Sequence, residues 1–170
     1  MRPRYGYGLF NVDSSGEFRQ KVVFFYWDPK GEFYRAVSTH ESRMRELASL
    51  RENMQFFVDG ERIVVNGEEV KARVVHVDVG FVANPKRPFI EFLILFKGRL
   101  TKGLNRYENY YEAEEVEYDY RVTWVLPEGF KLVRADFGFP CEVIDGRIVV
   151  INVKKGVTTP GYEFMEFLAP

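Results

Sequence analysis

The chain is 170 residues long, the size of one domain whose core can stand without disulfide or metal staples. Its 24 basic and 25 acidic residues leave a net charge of −1, which gives no general attraction to nucleic acid or to an anionic membrane. The single cysteine, Cys141, excludes an internal disulfide, and no run reaches the roughly 20 apolar residues of a membrane span.

The predicted elements begin with a strand over Arg4 to Val12, in which Gly6 and Gly8 alternate with aromatics. Glycine at such positions marks a bulge or a close backbone approach. After the turn Asp13-Ser14-Ser15-Gly16, a second strand runs from Glu17 to Trp27 and ends in Val22-Val23-Phe24-Phe25-Tyr26-Trp27. A run apolar on both parities predicts a strand covered on both faces. Asp28-Pro29 then opens a helical insertion over about residues 29–53, with Phe33, Val37, Met44, Leu47, Ala48 and Met54 near helical spacing. A second start lies at the S-x-x-E box Ser38 to Glu41.

Short strands follow at Gln55 to Val58, Ile63 to Val65 and Val70 to Val82, with Asp59-Gly60 and Asn66-Gly67 as hairpin turns. In the long strand the apolar parity changes near Val74, which predicts a bulge there. A nearly all-apolar strand spans Phe89 to Phe96, and a basic loop spans Lys97 to Arg106. From Glu115 to Leu126 the alternation is regular: Val116, Tyr118, Tyr120, Val122, Trp124 and Leu126 share one face, and Glu115, Glu117, Asp119, Arg121 and Thr123 the other. Strands over Lys131 to Phe137, Glu142 to Ile144, Arg147 to Val153 and Tyr162 to Leu168 complete the chain. The fold expected is mainly β: a single domain, 1–170, built as a sandwich of about ten antiparallel strands with one helix inserted after the first hairpin. The alternative is an α+β arrangement.

The run GLNRYENYYEAEEVEYDYRVTWVLPEGF, followed by a strand, an Asp-Gly hairpin and a closing GYEFMEF, resembles the immunoglobulin-like β-sandwich modules of uncharacterised archaeal surface proteins. The likeness covers roughly residues 66 to 170 and centres on the Leu126-Pro127-Glu128-Gly129 step between strands. It implies a sandwich fold and carries over no functional residues. An archaeal, thermophilic source also fits the scarcity of glutamine among many Lys, Glu and Arg. The N-terminal stretch lacks the apolar segment of a signal peptide, which suggests the cytoplasm, or the cell surface for an excised domain.

Candidate chemistry is sparse. His40-Glu41 opens like a zinc-protease H-E-x-x-H, but the second ligand position is Met44. His76 and Asp78 share a strand face, and Cys141 is a lone thiol; a small hydrolase would need one of them in a pocket. Glu115, Glu117 and Asp119 lie in a row along one face and are the candidate ligands for a calcium ion. Cations such as Lys71 and Arg73 crossing from neighbouring strands are the simpler reading of that face. Tyr107, Tyr110 and Tyr111, beside Arg99, Lys102 and Arg106 of the basic loop, are the candidate binding surface, since tyrosine is enriched at interfaces. The equal alternative is a tyrosine cluster buried under that loop. The reading is therefore of a non-catalytic binding or structural module that contacts a protein partner or a second copy of itself. The alternatives are a calcium-assisted carbohydrate-binding module and a small hydrolase.

Overall fold

A computed structural model describes residues 1–170. Twelve strands form two sheets, and two helices follow the first hairpin. In chain order the strands are β1 Arg2–Val12, β2 Glu17–Trp27, β3 Arg62–Val65, β4 Glu68–Val70, β5 Arg73–Phe81 and β6 Pro88–Lys97. Then come β7 Gly103–Tyr110, β8 Asp119–Val125, β9 Lys131–Asp136, β10 Cys141–Ile144, β11 Ile148–Val153 and β12 Tyr162–Ala169. The helices are α1 Glu32–Ala36 and α2 His40–Asp59. The larger sheet has the order β10-β11-β8-β1-β2-β6-β5 and the smaller β4-β3-β7-β12-β9.

The β-sandwich with an insertion after its first hairpin is the fold expected. One pairing departs from it, because β1 runs parallel to β8, from Tyr5 opposite Asp119 to Asn11 opposite Val125. Side-chain alternation is the same in parallel and antiparallel strands, so the pattern of residues carries no information on that choice. Gly6 and Gly8 explain the close fit: a Cβ on Gly6 would stand 3.2 Å from both the Tyr118 ring and the Cβ of Tyr120.

The helical segment also differs from its expected bounds. It divides at Ser38, as the two candidate starts allow, but the second helix begins on Thr39, whose side chain accepts from the Ser42 amide while Ser42 Oγ accepts from the Thr39 amide. It then runs to Asp59 and absorbs the predicted strand Gln55 to Val58. Two tertiary clips outweigh the β-preference of Phe56, Phe57 and Val58. Gln55 accepts from the Val74 amide at 2.8 Å and donates to the Ala72 carbonyl, and Arg43 donates to Asp78 and to the Val79 carbonyl. The amide that Gln55 satisfies lies at the predicted bulge, where the β5/β6 register shifts between Val74 and His76. The helix thus covers the β5 edge of the large sheet, which would otherwise offer unpaired backbone groups.

The two sheets meet on an aromatic cluster. Tyr107 comes from the small sheet; Phe18, Phe96 and Trp124 come from the large one. Ring centroids are 4.6 Å apart for Phe18–Phe96 and 4.9 Å for Tyr107–Trp124, and all four side chains are buried. The outer face of the small sheet carries an ion network instead. Arg106 and Arg134 both donate to Glu166, Arg106 also donates to Glu108 and to Tyr162 Oη, and the Arg106 guanidinium lies 4.2 Å from the Phe164 ring centroid.

The link from β6 to β7 passes over β3 at Gly98, where a Cβ would fall 2.4 to 2.9 Å from the Val65 side chain. Val65 is fully packed and has no room to yield. Overpacking of this kind costs about 1–3 kcal/mol, so Gly98→Ala is expected to lower the melting temperature by roughly 2–4 °C for each kcal/mol in a domain of this size. An unchanged melt would mean that the link moves freely over Val65.

Candidate functional site

A cavity of about 820 Å³ lies between the sheets. One wall is the inner face of the large sheet, formed by Gly6, Gly8, Phe10, Val22, Phe24, Tyr120, Val122 and Trp124. The opposing wall carries Ile63, Asn109 and Glu163 of the small sheet. The end of α2, from Met54 to Glu61, and the connection from Glu112 to Tyr118 close its sides. Phe56 and Phe57 are 83% and 58% exposed although they line it, and Glu112, Glu115 and Glu117 are exposed too. The mouth therefore lies between the helix end and the acidic connection.

A small polar group sits inside this mostly apolar lining. The β7/β12 register places Asn109 opposite Glu163, and Met165 opposite Tyr107. Tyr107 Oη donates to Glu163 at 2.8 Å, and Asn109 Nδ2 donates to Glu61 at 3.0 Å. Asn109 is only 7% exposed, and its Oδ1 has no partner. The amide orientation is fixed by Glu61, because a flipped amide would set oxygen against carboxylate. Neither Glu61 nor Glu163 takes part in an ion pair.

The electrostatics follow from that arrangement. Burial pushes the Glu163 carboxyl up to about 7, and the nearby Glu61 charge adds to the rise while Tyr107 and Asn109 oppose it. Glu61 is raised by burial as well. The surrounding phenols rise in turn: Tyr107 goes well above its usual range by burial and by the Glu163 charge, and Tyr111 reaches about 12 for the same two reasons. The contrast with the outer face is sharp, since Arg134 and Arg106 hold Glu166 down to about 2.

The residues expected from sequence to form a surface are divided by the fold. Tyr107 is fully buried, Tyr111 half-buried at the cavity, and Tyr110 alone is exposed, at 39%. Arg106 is engaged in the network with Glu108 and Glu166, while Arg99 and Lys102 are exposed and separate from it. The three carboxylates proposed for calcium do not converge: Asp119 takes Lys154 and the Lys155 amide, Glu115 and Glu117 are exposed on the connection before β8, and no three His, Cys, Asp or Glu side chains group to hold a metal. The crossing cation is therefore Lys154 and not Lys71 or Arg73. His76 and Cys141 are exposed and neither lines the cavity, and Asp78, on the same strand face as His76, is paired with Arg43.

A second depression, of about 530 Å³, lies beside Phe25, Trp27, Val82 and Pro88. Its polar lining is Arg4 and Arg87, and no unpartnered buried polar atom faces it.

Fold and site together define a two-sheet β-sandwich with an acid-tipped cavity between its sheets. No family model and no curated protein matches the chain. Among solved structures, the chain is similar to the folded domain of LppM from Mycobacterium tuberculosis, at a TM-score of 0.44 and 7% identity over 98% of this chain and 91% of that one. It is also similar to an aminopeptidase N family protein from Idiomarina loihiensis, at a TM-score of 0.40 and 9% identity over 95% of this chain. The chain spans 29% of the length of that protein. No helix is long and apolar enough to cross a membrane.

Proposed function

We propose that the domain is a non-catalytic binding module that takes an apolar small molecule into the cavity between its sheets. The observation that carries this reading is the cavity itself: about 820 Å³, with apolar and aromatic side chains over most of its walls, an acidic rim, and a buried polar group on the small-sheet side. Ligand sites typically have about 300–1,000 Å³ and this kind of lining. The exposed Phe56 and Phe57 at the mouth give an apolar ligand a path inward. A hydrolase has less support, because His76 and Cys141 lie away from the cavity. A sugar platform or protein contact on the tyrosine run has less support too, because only Tyr110 of the three is exposed.

The test is titration with the neutral dye N-phenyl-1-naphthylamine, followed by its own fluorescence and by quenching of Trp124, which lines the cavity. One saturable site is expected. Val22→Phe, which adds a ring on the cavity wall, should abolish uptake while leaving the melting temperature level or higher. Absence of uptake, or uptake indifferent to Val22→Phe, would overturn the reading. Replacing both Phe56 and Phe57 by Ser is expected to weaken dye binding several-fold without lowering the melt, since these rings are already largely in water. At about 25 cal/mol per Å², losing their contact with a ligand matters more than losing their contact with the protein.

A further inference from the structure

We propose that the cavity selects a protonated amine carried on an apolar body, its ammonium seated among Glu61, Glu163 and the Oδ1 of Asn109. The proposal rests on reading the cavity as a ligand site and adds the chemistry of the ligand. An ammonium offers three N–H donors and no acceptor. The polar end of the cavity offers the complement: two carboxylates without counter-ions and one buried carbonyl oxygen without a donor. A buried acceptor left unpaired is uncommon in native structures and calls for a partner. Here the amide that carries it is held in place by Glu61, so the oxygen cannot turn away.

The wider cavity points the same way. Asp59, Glu61, Glu112, Glu114, Glu115, Glu117 and Glu163 line it, against Arg121 as the one basic residue. The C-terminal end of α2, the negative end of its dipole, reaches the cavity at Asp59, and its last turn carries no basic side chain. Such a surface draws cations toward the mouth. A divalent metal is a poorer occupant, because calcium takes six to eight oxygens in its shell and no three carboxylate, His or Cys side chains group here. A fatty acid or phosphate would meet like charge at the rim and again at the end of the cavity.

The pH dependence is specific. The groups facing Glu163 are Glu61 after α2, Tyr107, Asn109 and Tyr111 on and after β7 and Tyr120 on β8; none is a cation. Ammonium affinity should therefore increase as pH rises from about 5.5 to about 8 and Glu163 ionises.

The experiment compares decylammonium, decanol and decanoate as displacers of the naphthylamine dye at about pH 8, on the full chain, with the two ions below their micelle concentrations and decanol below its solubility. A charge pair shielded from water distinguishes a charged ligand from its neutral and oppositely charged analogues, so decylammonium is expected to bind tenfold or more tightly than decanol, and decanoate less tightly than either. Glu163→Gln should remove most of the preference of decylammonium over decanol, and Glu61→Gln gives an independent second variant. Equal affinity of amine and alcohol, a preference for decanoate, or a preference that survives both variants overturns the proposal while leaving the cavity a ligand site. Failure of the dye and all three chains to bind overturns the cavity reading, and the proposal with it.

Discussion

At about pH 8, Glu163→Gln will melt above the wild type by several degrees, and the gap will close as the pH falls toward 4.5. A carboxyl whose folded pKa stands near 7, against an ordinary 4.5, must lose its proton at a cost on folding at pH 8. That rise corresponds to on the order of 3 kcal/mol, at about 1.4 kcal/mol for each tenfold. With roughly 2–4 °C for each kcal/mol, the ceiling on the gain is near 10 °C. The sign follows from proton counts. Between about 4.5 and 7 the folded state holds the Glu163 proton and the unfolded state does not, so wild-type stability falls as pH rises through that window and is level above it. Glu166, Glu108, Asp119 and Asp13 behave oppositely. Their folded pKa values are lowered, so their contributions are present above the ordinary carboxylate range and are lost at more acid pH. The two sets therefore act in different windows. The glutamine variant keeps an acceptor for Tyr107 Oη and gains an amide that can donate to the unpaired oxygen of Asn109. Thermal melts of both proteins at half-unit steps from pH 4 to 9 decide the matter. A flat wild-type profile between 4.5 and 7, or a variant that melts lower at pH 8, would sink the account of the polar end.

Much of the frame was legible because local rules agreed with the fold. Asn66-Gly67 and Asp145-Gly146 do make tight hairpins, with φ of 50° and 79° at the first pair and 52° and 66° at the second. The bulge at Val74 could be read from its parity change. The helix end could not: Gln55 holds it by reaching the backbone of a strand that comes later in the chain. The parallel β1/β8 pair leaves no mark in the alternation of either strand.

The polar end of the cavity had a signal, but a faint one. Glu163 shares its parity with the buried Met165 and Phe167, and Asn109 shares its parity with the buried Tyr107. Two polar residues on core-facing parity are the pattern to look for, since buried polar groups need partners. What hid them was the richness of charge around them. The acidic run from Glu112 to Glu117 drew attention to a row of carboxylates on one strand, whereas the strand proper starts at Asp119 and the run forms the cavity rim. Glu61, next to an expected hairpin turn, had no feature of its own until the helix was seen to end at Asp59.

Tyr107→Ala will unfold the domain far more readily than Tyr110→Ala, although the two residues sit three apart on one strand. Tyr107 is 0% exposed and joins the sheets through Phe18, Phe96 and Trp124. Removing a large buried aromatic costs about 3–5 kcal/mol through lost transfer and the void left behind, or a fall in melting temperature of roughly 6–20 °C. Tyr110 faces outward; it donates to Glu108, touches Tyr162 and lies under Arg62, exposed contacts whose loss costs on the order of 1 kcal/mol. The phenol hydroxyl is separable from the ring. Tyr107→Phe keeps the stack and removes only the donor to Glu163, a hydrogen bond to a charged group worth about 1.5–3 kcal/mol. Because that bond favours the ionised carboxyl, its loss raises the Glu163 pKa further. The phenylalanine variant should therefore be weaker than wild type at pH 8 and nearly equal to it at pH 4.5, where Glu163 is protonated in both. Combining Tyr107→Phe with Glu163→Gln should restore most of the loss at pH 8. A loss that is the same at both pH values would place the hydroxyl's contribution in packing and not in the charge it faces.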